Sequence, residues 1–367
     1  MSAGSGPESS ELAEAVGRLL LVGFEGRGLG EVEALLEAVR PAGLIFFARN
    51  YPGPEGPAAL RRLIVQAQAL AGAVFGRPLL MAIDHEGGPV QRLPAPYTRL
   101  PAARACSDPA EAERLTELGA RELAATGFNF NLAPVVDVPD GPGAFIGERG
   151  FSGDPRAVAA WARAVLAAFR RAGLLGAAKH FPGLGQARLD PHLDLPLIPA
   201  SADRLAATDF LPYRELVGEP DLAAVMTTHA FYPALDADRP ATLSPEIVGL
   251  LKNELGFGGA VLTDDLEMGA MAKNYDLGEA AVLAVAAGHD LALICRRREN
   301  IEVCRRALTK AVQSGRLTES RLADALRRTA GLAERLRAIA VPDARRELWF
   351  KTLIGETSTE IAAINTE

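Results

Sequence analysis

Short apolar runs rich in β-branched and aromatic residues alternate with longer Ala/Leu/Arg/Glu-rich segments along nearly the whole chain. Eight runs read as strands: LLLVGF (19–24), GLIFFAR (43–49), LLMAID (79–84), FNFNLAPVVDV (128–138), GAAKHF (176–181), AAVMTTHA (223–230), GAVLTDD (259–265) and DLALIC (290–295). They are apolar on both faces, the pattern of parallel strands covered by helices. The segments between them, such as 57–72, 109–127 and 155–173, carry apolar residues at 3.6-residue spacing. Several open at a capping residue or Pro and close at Gly, as helices prefer. Ser244 before Pro245 and Glu246 is one such start, with Ser at the cap and Pro in the first turn.

Eight strands with intervening helices predict an α/β protein built as a single (β/α)8 TIM-type barrel. A doubly wound sheet is the alternative, but no G-x-G-x-x-G turn follows the first run. No repeat, low-complexity tract or linker cuts the chain in two. The expected organisation is a flexible lead-in over residues 1–11, the barrel over 12–341 and a C-terminal extension over 342–367. Within that extension the stretch 346–367 leaves the helical rhythm, and it reads as a packing strap or a partly ordered tail.

Composition narrows the function classes. With 367 residues, 49% hydrophobic and 23% charged, the chain can bury a large core without disulfides. Lys+Arg 39 against Asp+Glu 46 gives a net charge of -7 with no basic block, which argues against nucleic acid or an anionic membrane as partner. Cys106, Cys295 and Cys304 form no CxxC and are odd in number, so they read as buried thiols in a reducing compartment. No early cationic region or cleavage site marks a secretory signal. No stretch reaches the about 18 apolar residues of a membrane span. A cytoplasmic, monomeric protein with a small-molecule substrate is the expectation.

In a barrel, chemistry gathers at the C-terminal strand ends. The third run ends in Asp84-His85-Glu86, the fifth in Lys179-His180, the sixth in Thr228-His229 and the seventh in Asp264-Asp265. Four of the five histidines fall at or just beyond such ends, counting His192 in the loop after the fifth. A single strand-end Asp is often a cap, and a lone His is often structural, which is how His85 and His289 read. Lys179 after an apolar run is costly to bury unpaired and points to function.

Three chemistries could use this set. A metal-dependent amidohydrolase wants His-x-His after the first strand, where Gly23-Phe24-Glu25 stands instead. A Schiff base on Lys179 is conceivable, although a Lys beside a His could equally bind hydroxyls. Glycoside hydrolysis needs a carboxylate nucleophile and a proton donor across one bond. Asp264 could be the first, and Asp190-Pro191-His192 could supply a carboxylate-supported imidazole as the second.

The chain resembles glycoside hydrolase family 3, specifically its single-domain β-N-acetylglucosaminidase (β-hexosaminidase) subgroup, from about residue 14 to 340. The resemblance rests on IDHEGGPVQRL (83–93), NLAPVVDV (131–138), IGERGFSGDP (146–155), KHFPGLGQ (179–186), DPH (190–192), PATLS (240–244) and VLTDDLEMGAM (261–271), in this order. It implies a retaining exo-glycosidase acting through a covalent glycosyl-enzyme. Asp264 would be the nucleophile, with Asp265 as its competitor, and His192 the acid/base assisted by Asp190. Asp84, Arg92, Arg149, Lys179 and His180 would hold the non-reducing sugar, and His229 would line the pocket. No metal or other cofactor is implied.

The resemblance also implies N-acetylglucosamine-bearing cell-wall fragments or chitooligosaccharides as substrates, and a cytoplasmic role in peptidoglycan recycling. The alternatives are a β-glucosidase-like enzyme or a phosphorylase of the same family, or a non-catalytic sugar-binding barrel. The family commonly reads KHFPGHGD followed by Ser or Thr. Here Leu184 replaces the second His, and Gln186-Ala187 replace the last pair, with the spacing to Asp190 and His192 kept.

Overall fold

The computed structural model describes residues 10–53, 56–141 and 143–355. Eight parallel strands close into a barrel: β1 (Leu20–Val22), β2 (Gly43–Phe46), β3 (Leu80–Ile83), β6 (Phe130–Asn131), β7 (Leu175–Phe181), β8 (Leu222–Thr227), β9 (Ala260–Asp265) and β10 (Leu291–Ile294). They neighbour one another in chain order, and β1 pairs with β10 to complete the ring. A two-stranded hairpin, β4 (His85–Gly87) with β5 (Val90–Gln91), stands on the end of β3. The single (β/α)8 barrel is therefore the fold.

Strand alternation divides the apolar residues into two layers. Along β1, Leu20 and Val22 join the layer between strands and helices, whereas Leu21 joins a second cluster with Ile45, Ala82, Phe130 and Leu262. Leu332, with Leu336 and Ile339 packed beside it, closes that inner cluster from the final long helix, Glu319–Ala338 and its cap. Helix starts follow the sequence cues: Asp108, Asp154 and Ser244 cap helices whose first turn carries Pro, each accepting a backbone N–H.

The fourth run is the one that departs from its expected length. Only Phe130–Asn131 pairs as strand, because Pro134 lacks a donor and two Asn side chains take over ladder duties. Asn129 Oδ1 accepts the Met81 N–H at 2.8 Å, and Asn131 Oδ1 accepts the His85 N–H at 3.0 Å. The next residues turn toward β7, where Val136 N–H donates to Lys179 O at 2.8 Å. Cys295 and Cys304 are buried as expected, but Cys106 is only half-buried.

The expected lead-in falls, up to residue 9, outside the described residues, and a helix Ser10–Gly17 follows. Beyond 342 a helix Asp343–Trp349 runs into a π-turn Phe350–Gly355. Glu347 pairs with Arg61 at 2.6 Å, and the same guanidinium lies 4.6 Å from the Phe350 ring. Residues 356–367 lie outside the described residues. Among the described residues no helix is long and apolar enough to cross a membrane.

The barrel's other end is tied by a buried ionic network. Asp290 is fully buried and accepts from Lys252 at 2.9 Å, Arg321 at 2.5 Å and the Val261 N–H at 2.9 Å. Removing one partner of such a group leaves the others charged and unpaired. Asp290→Ala is expected to lower the unfolding free energy by about 3 kcal/mol or more in urea titration. It should leave KM of any surviving native protein unchanged, because the network lies at the opposite end from the strand C-termini.

Candidate active site

Asp84, Glu86, Arg92, Arg149, Lys179, His180, Pro191, His192 and Asp264 line one cleft of about 450 Å³ at the C-terminal end of the barrel. Its floor is ionic. The Lys179 ammonium, 3% exposed, lies 2.7 Å from Asp84 Oδ1 and 2.7 Å from Glu86 Oε1. Arg149 donates to both Glu86 oxygens at 2.9 Å, the fork geometry that fixes a guanidinium plane. Arg92 pairs with Asp84 at 3.4 Å and lies 5.3 Å above the Phe47 ring.

Burial disfavours the charges of Glu86, Lys179 and Arg149, yet mutual pairing overrides it. Burial raises the Glu86 carboxyl, but Lys179 and Arg149 bring it well below the usual carboxylate range. Burial lowers the Lys179 ammonium, but Asp84 and Glu86 raise it above its ordinary value. Glu86, Lys179 and Arg149 are therefore ionised throughout the neutral range.

Two carboxyls end β9, and their environments separate them. Burial pushes the Asp264 carboxyl up, but His229, His180, the Asp265 N–H and Lys179 together hold it below its ordinary value. Burial, with the charges of Glu267 and Asp264, pushes Asp265 up to about 7. Its Oδ1 accepts the N–H groups of Glu267 and Cys295 at 3.0 and 3.2 Å, so it braces the loop after β9. Only Asp264 faces the cleft.

The imidazole opposite comes from the loop after β7. Asp190 Oδ1 accepts the His192 backbone N–H and lies 2.8 Å from His192 Nδ1, so Asp190 sets both backbone and ring. A carboxylate at Nδ1 leaves Nε2 as the proton-carrying or proton-accepting end in turn. His192 is 64% exposed, in contrast to the buried floor. The loop docks on the start of the helix Gly269–Ala272 through Gly269 N–H to His192 O, Ala270 N–H to Pro191 O and Lys273 Nζ to Leu193 O. Gly269 is required there, because a Cβ would lie 2.5 Å from His192 O.

His229 stands elsewhere than expected. It is fully buried and outside the cleft lining, with Nε2–H donating to Asp265 O at 2.9 Å and Nδ1 2.6 Å from Thr242 Oγ1. It supports the β9 end from behind. The structural reading of His289 fits its surroundings, between Thr227 Oγ1 and Ala284 O, whereas His85 is buried in the hairpin with its Nδ1 left without a partner among the described residues.

Sequence reasoning missed Glu86 and Asp137. Glu86 carried the signal of Asp84, two residues on along an extended segment and so on the same side. Asp137, the one charge in an apolar run, contacts His180 twice and Leu184 once. Among the described residues no group of three or more His, Cys, Asp or Glu is arranged to hold a metal ion.

Comparison with known proteins identifies the family and agrees with the fold. The family model described as glycosyl hydrolase family 3 N terminal domain matches residues 11–332. A β-hexosaminidase of Alkalilimnicola ehrlichii is 40% identical over 303 residues, 79% of this chain and 84% of that protein. The structure of a family 3 β-N-acetylglucosaminidase from Paenibacillus sp. superposes with a TM-score of 0.85 at 36% identity, covering 93% of this chain and 68% of that one. A β-N-acetylhexosaminidase from Beutenbergia cavernae gives 0.79 at 30% identity, over 89% of this chain and all of that one, 100%. The chain belongs to glycosyl hydrolase family 3.

Asp265 gives a pH-dependent test. Its folded value of about 7 lies above its ordinary value, so the stability that its neutral form contributes is complete below the ordinary carboxylate pKa and is lost as pH rises through 7. Calorimetry of the wild type is expected to show Tm declining between pH 4 and pH 7, and Asp265→Asn should flatten that decline. An unchanged slope would place that titration in another group.

Proposed function

We propose that this family 3 glycosidase is a retaining, exo-acting β-N-acetylglucosaminidase that removes terminal N-acetylglucosamine from peptidoglycan fragments or related oligosaccharides. The observation that carries the reading is the presence of an ionised Asp264 and an Asp190-held His192 in one cleft whose floor presents charged hydrogen-bonding groups. The names of the relatives above support the N-acetylhexosaminide specificity.

In this reading the barrel, residues 12–341, is the catalytic unit. Asp84, Arg92, Arg149, Lys179 and His180 bind the hydroxyls of the terminal sugar. Charge-assisted hydrogen bonds orient the ring, and a cleft built for free hydroxyls disfavours a substituted sugar there. Asp264 attacks the anomeric carbon as His192 Nε2–H protonates the departing oxygen, giving a glycosyl ester on Asp264 and a neutral His192. His192 then takes a proton from water, whose oxygen displaces the carboxylate with a second inversion. Asp190 orients the ring and stabilises its charged form in both steps. Three free cysteines suit a reducing compartment, for which we assign the cytoplasm.

Release of p-nitrophenol from its β-N-acetylglucosaminide and β-glucoside tests the assignment. The first is expected to be turned over well and the second poorly. Asp264→Ala should reduce turnover to background, and His192→Ala should reduce kcat roughly 10²–10⁴-fold. Proton NMR of the first-formed product should show the β-anomer. Sugar 1-phosphate on addition of inorganic phosphate would make the enzyme a phosphorylase. Binding without turnover of either glycoside would make it a sugar-binding barrel.

A further inference from the structure

Asp137 lies outside the cleft lining, and its side chain is fully buried, yet its two oxygens serve three donors. Oδ1 accepts the backbone N–H of His180 at 3.2 Å and of Leu184 at 2.6 Å, while Oδ2 lies 2.7 Å from His180 Nδ1. A carboxylate only accepts, so the proton of that last contact belongs to Nδ1. In the neutral ring the lone pair is then on Nε2, the end that faces Arg149 Nη2, a pure donor, at 3.4 Å.

This tautomer matters because of what else stands on the wall. Lys179, Arg149 and Arg92 can only donate, while the carboxylates of Asp84 and Glu86 accept from those cations and keep further lone pairs. With its proton on Nδ1 the neutral ring would offer Nε2 as an uncharged acceptor, whose one lone pair now faces Arg149 Nη2 at 3.4 Å, a long contact that a substrate hydroxyl would replace. A sugar hydroxyl between Lys179 and His180 would receive a hydrogen bond from the first and donate one to the second. An ether oxygen at the same place could do only the former.

We propose that Asp137 is a positioning residue with two tasks: it holds His180 as an acceptor for a substrate hydroxyl, and through Leu184 it fixes the root of the loop that carries His192. The second task follows from chain order, since Leu184 precedes Asp190 by only six residues. The same root is fixed from two other sides. Tyr232 Oη–H donates to Gly183 O at 2.7 Å, and Gln186 Nε2 donates to Asp209 Oδ2 at 3.2 Å. Gly183, at φ +142, admits only glycine, since a Cβ would meet Asp209 Cβ at 2.5 Å.

The sugar-contact half of this proposal rests on the glycosidase reading, whereas the tautomer does not. Nitrogen-15 NMR of the histidine side chains in the full chain at pH 7.5, with His180 assigned through His180→Gln, reads the tautomer directly. The expected result is a protonated Nδ1 and an unprotonated Nε2. A proton on Nε2, alone or with one on Nδ1, overturns the proposal whether or not any variant folds.

Asp137→Asn supplies the kinetic half. Its amide oxygen can keep both backbone donors, but its NH2 would donate to His180 Nδ1 and drive the ring proton to Nε2. KM for the p-nitrophenyl N-acetylglucosaminide should rise roughly 10–100-fold with kcat changed far less. Asp137→Ala, which also frees Leu184 N–H, should lower kcat as well. Among monodeoxy glycosides, the one most disfavoured by the wild type should regain parity with its parent in Asp137→Asn. An unchanged KM in Asp137→Asn with a switched tautomer sinks the sugar-contact role. A wild type with the expected tautomer but no turnover locates the failure in the proposed activity instead.

Discussion

The whole site depends on keeping Lys179 charged at a place from which water is nearly excluded. An ammonium at the end of an apolar strand is among the costlier things a barrel can bury, and it persists only if pairing outweighs desolvation. Asp84 and Glu86 each lie 2.7 Å from it, from the segment that leaves β3, so two strands are joined by charge at their C-terminal ends. Glu86 in turn orients Arg149, and Asp84 holds Arg92 against the Phe47 face. Each ion thereby answers to another, and the array is a rigid set of donors before any ligand arrives. Such preorganisation is what electrostatic catalysis requires, because nothing need reorient when charge develops.

The same economy explains why two adjacent carboxyls at the end of β9 behave differently. Strand alternation sends successive side chains to opposite sides. Asp264 enters the cleft toward Lys179 and His180 and stays ionised, while Asp265 turns to backbone N–H groups and is pushed up to about 7. A nucleophile must carry its charge at neutral pH, and a brace need not. Environments that drive neighbouring titratable groups apart are a sound guide to assigning their roles. Asp264 is favoured over Asp265 on that ground, independently of any motif.

Much of this was legible in the sequence because its causes are local. Apolar runs without alternation announced a covered parallel sheet, and polar residues at their ends announced a mouth. Asp84, Lys179, His180, His192 and Asp264 were found that way, and they share one cleft. What escaped were residues whose role depends on a partner far along the chain. Glu86 looked like a neighbour of Asp84 until Lys179 and Arg149 were brought to it, 93 and 63 positions away respectively in the fold's wrapping. His229 looked like a cleft residue because it ends a strand. The turn of its ring toward Asp265 O and Thr242 could not be read from one dimension. The short fourth strand escaped for a related reason, since Asn129 and Asn131 bond to other strands through side chains.

The altered residues of the loop root show how a site tolerates change between two fixed parts. Leu184, which departs from the motif that the sequence resembles, is buried in an apolar cluster, and its backbone, not its side chain, makes the bond to Asp137. Ala187 is buried in the same cluster, and Phe145 N–H donates to its carbonyl at 2.7 Å. Gln186 reaches Asp209, which burial pushes up to about 6 and whose other oxygen has no partner. The contact of Asp190 with His192 is itself carried within three residues. Backbone groups therefore transmit position from the buried wall to the exposed dyad, and side chains along the way can exchange polar for apolar contacts as long as that backbone stays pinned. Leu184 at this place keeps the root apolar while Asp190 and His192 retain their own local geometry.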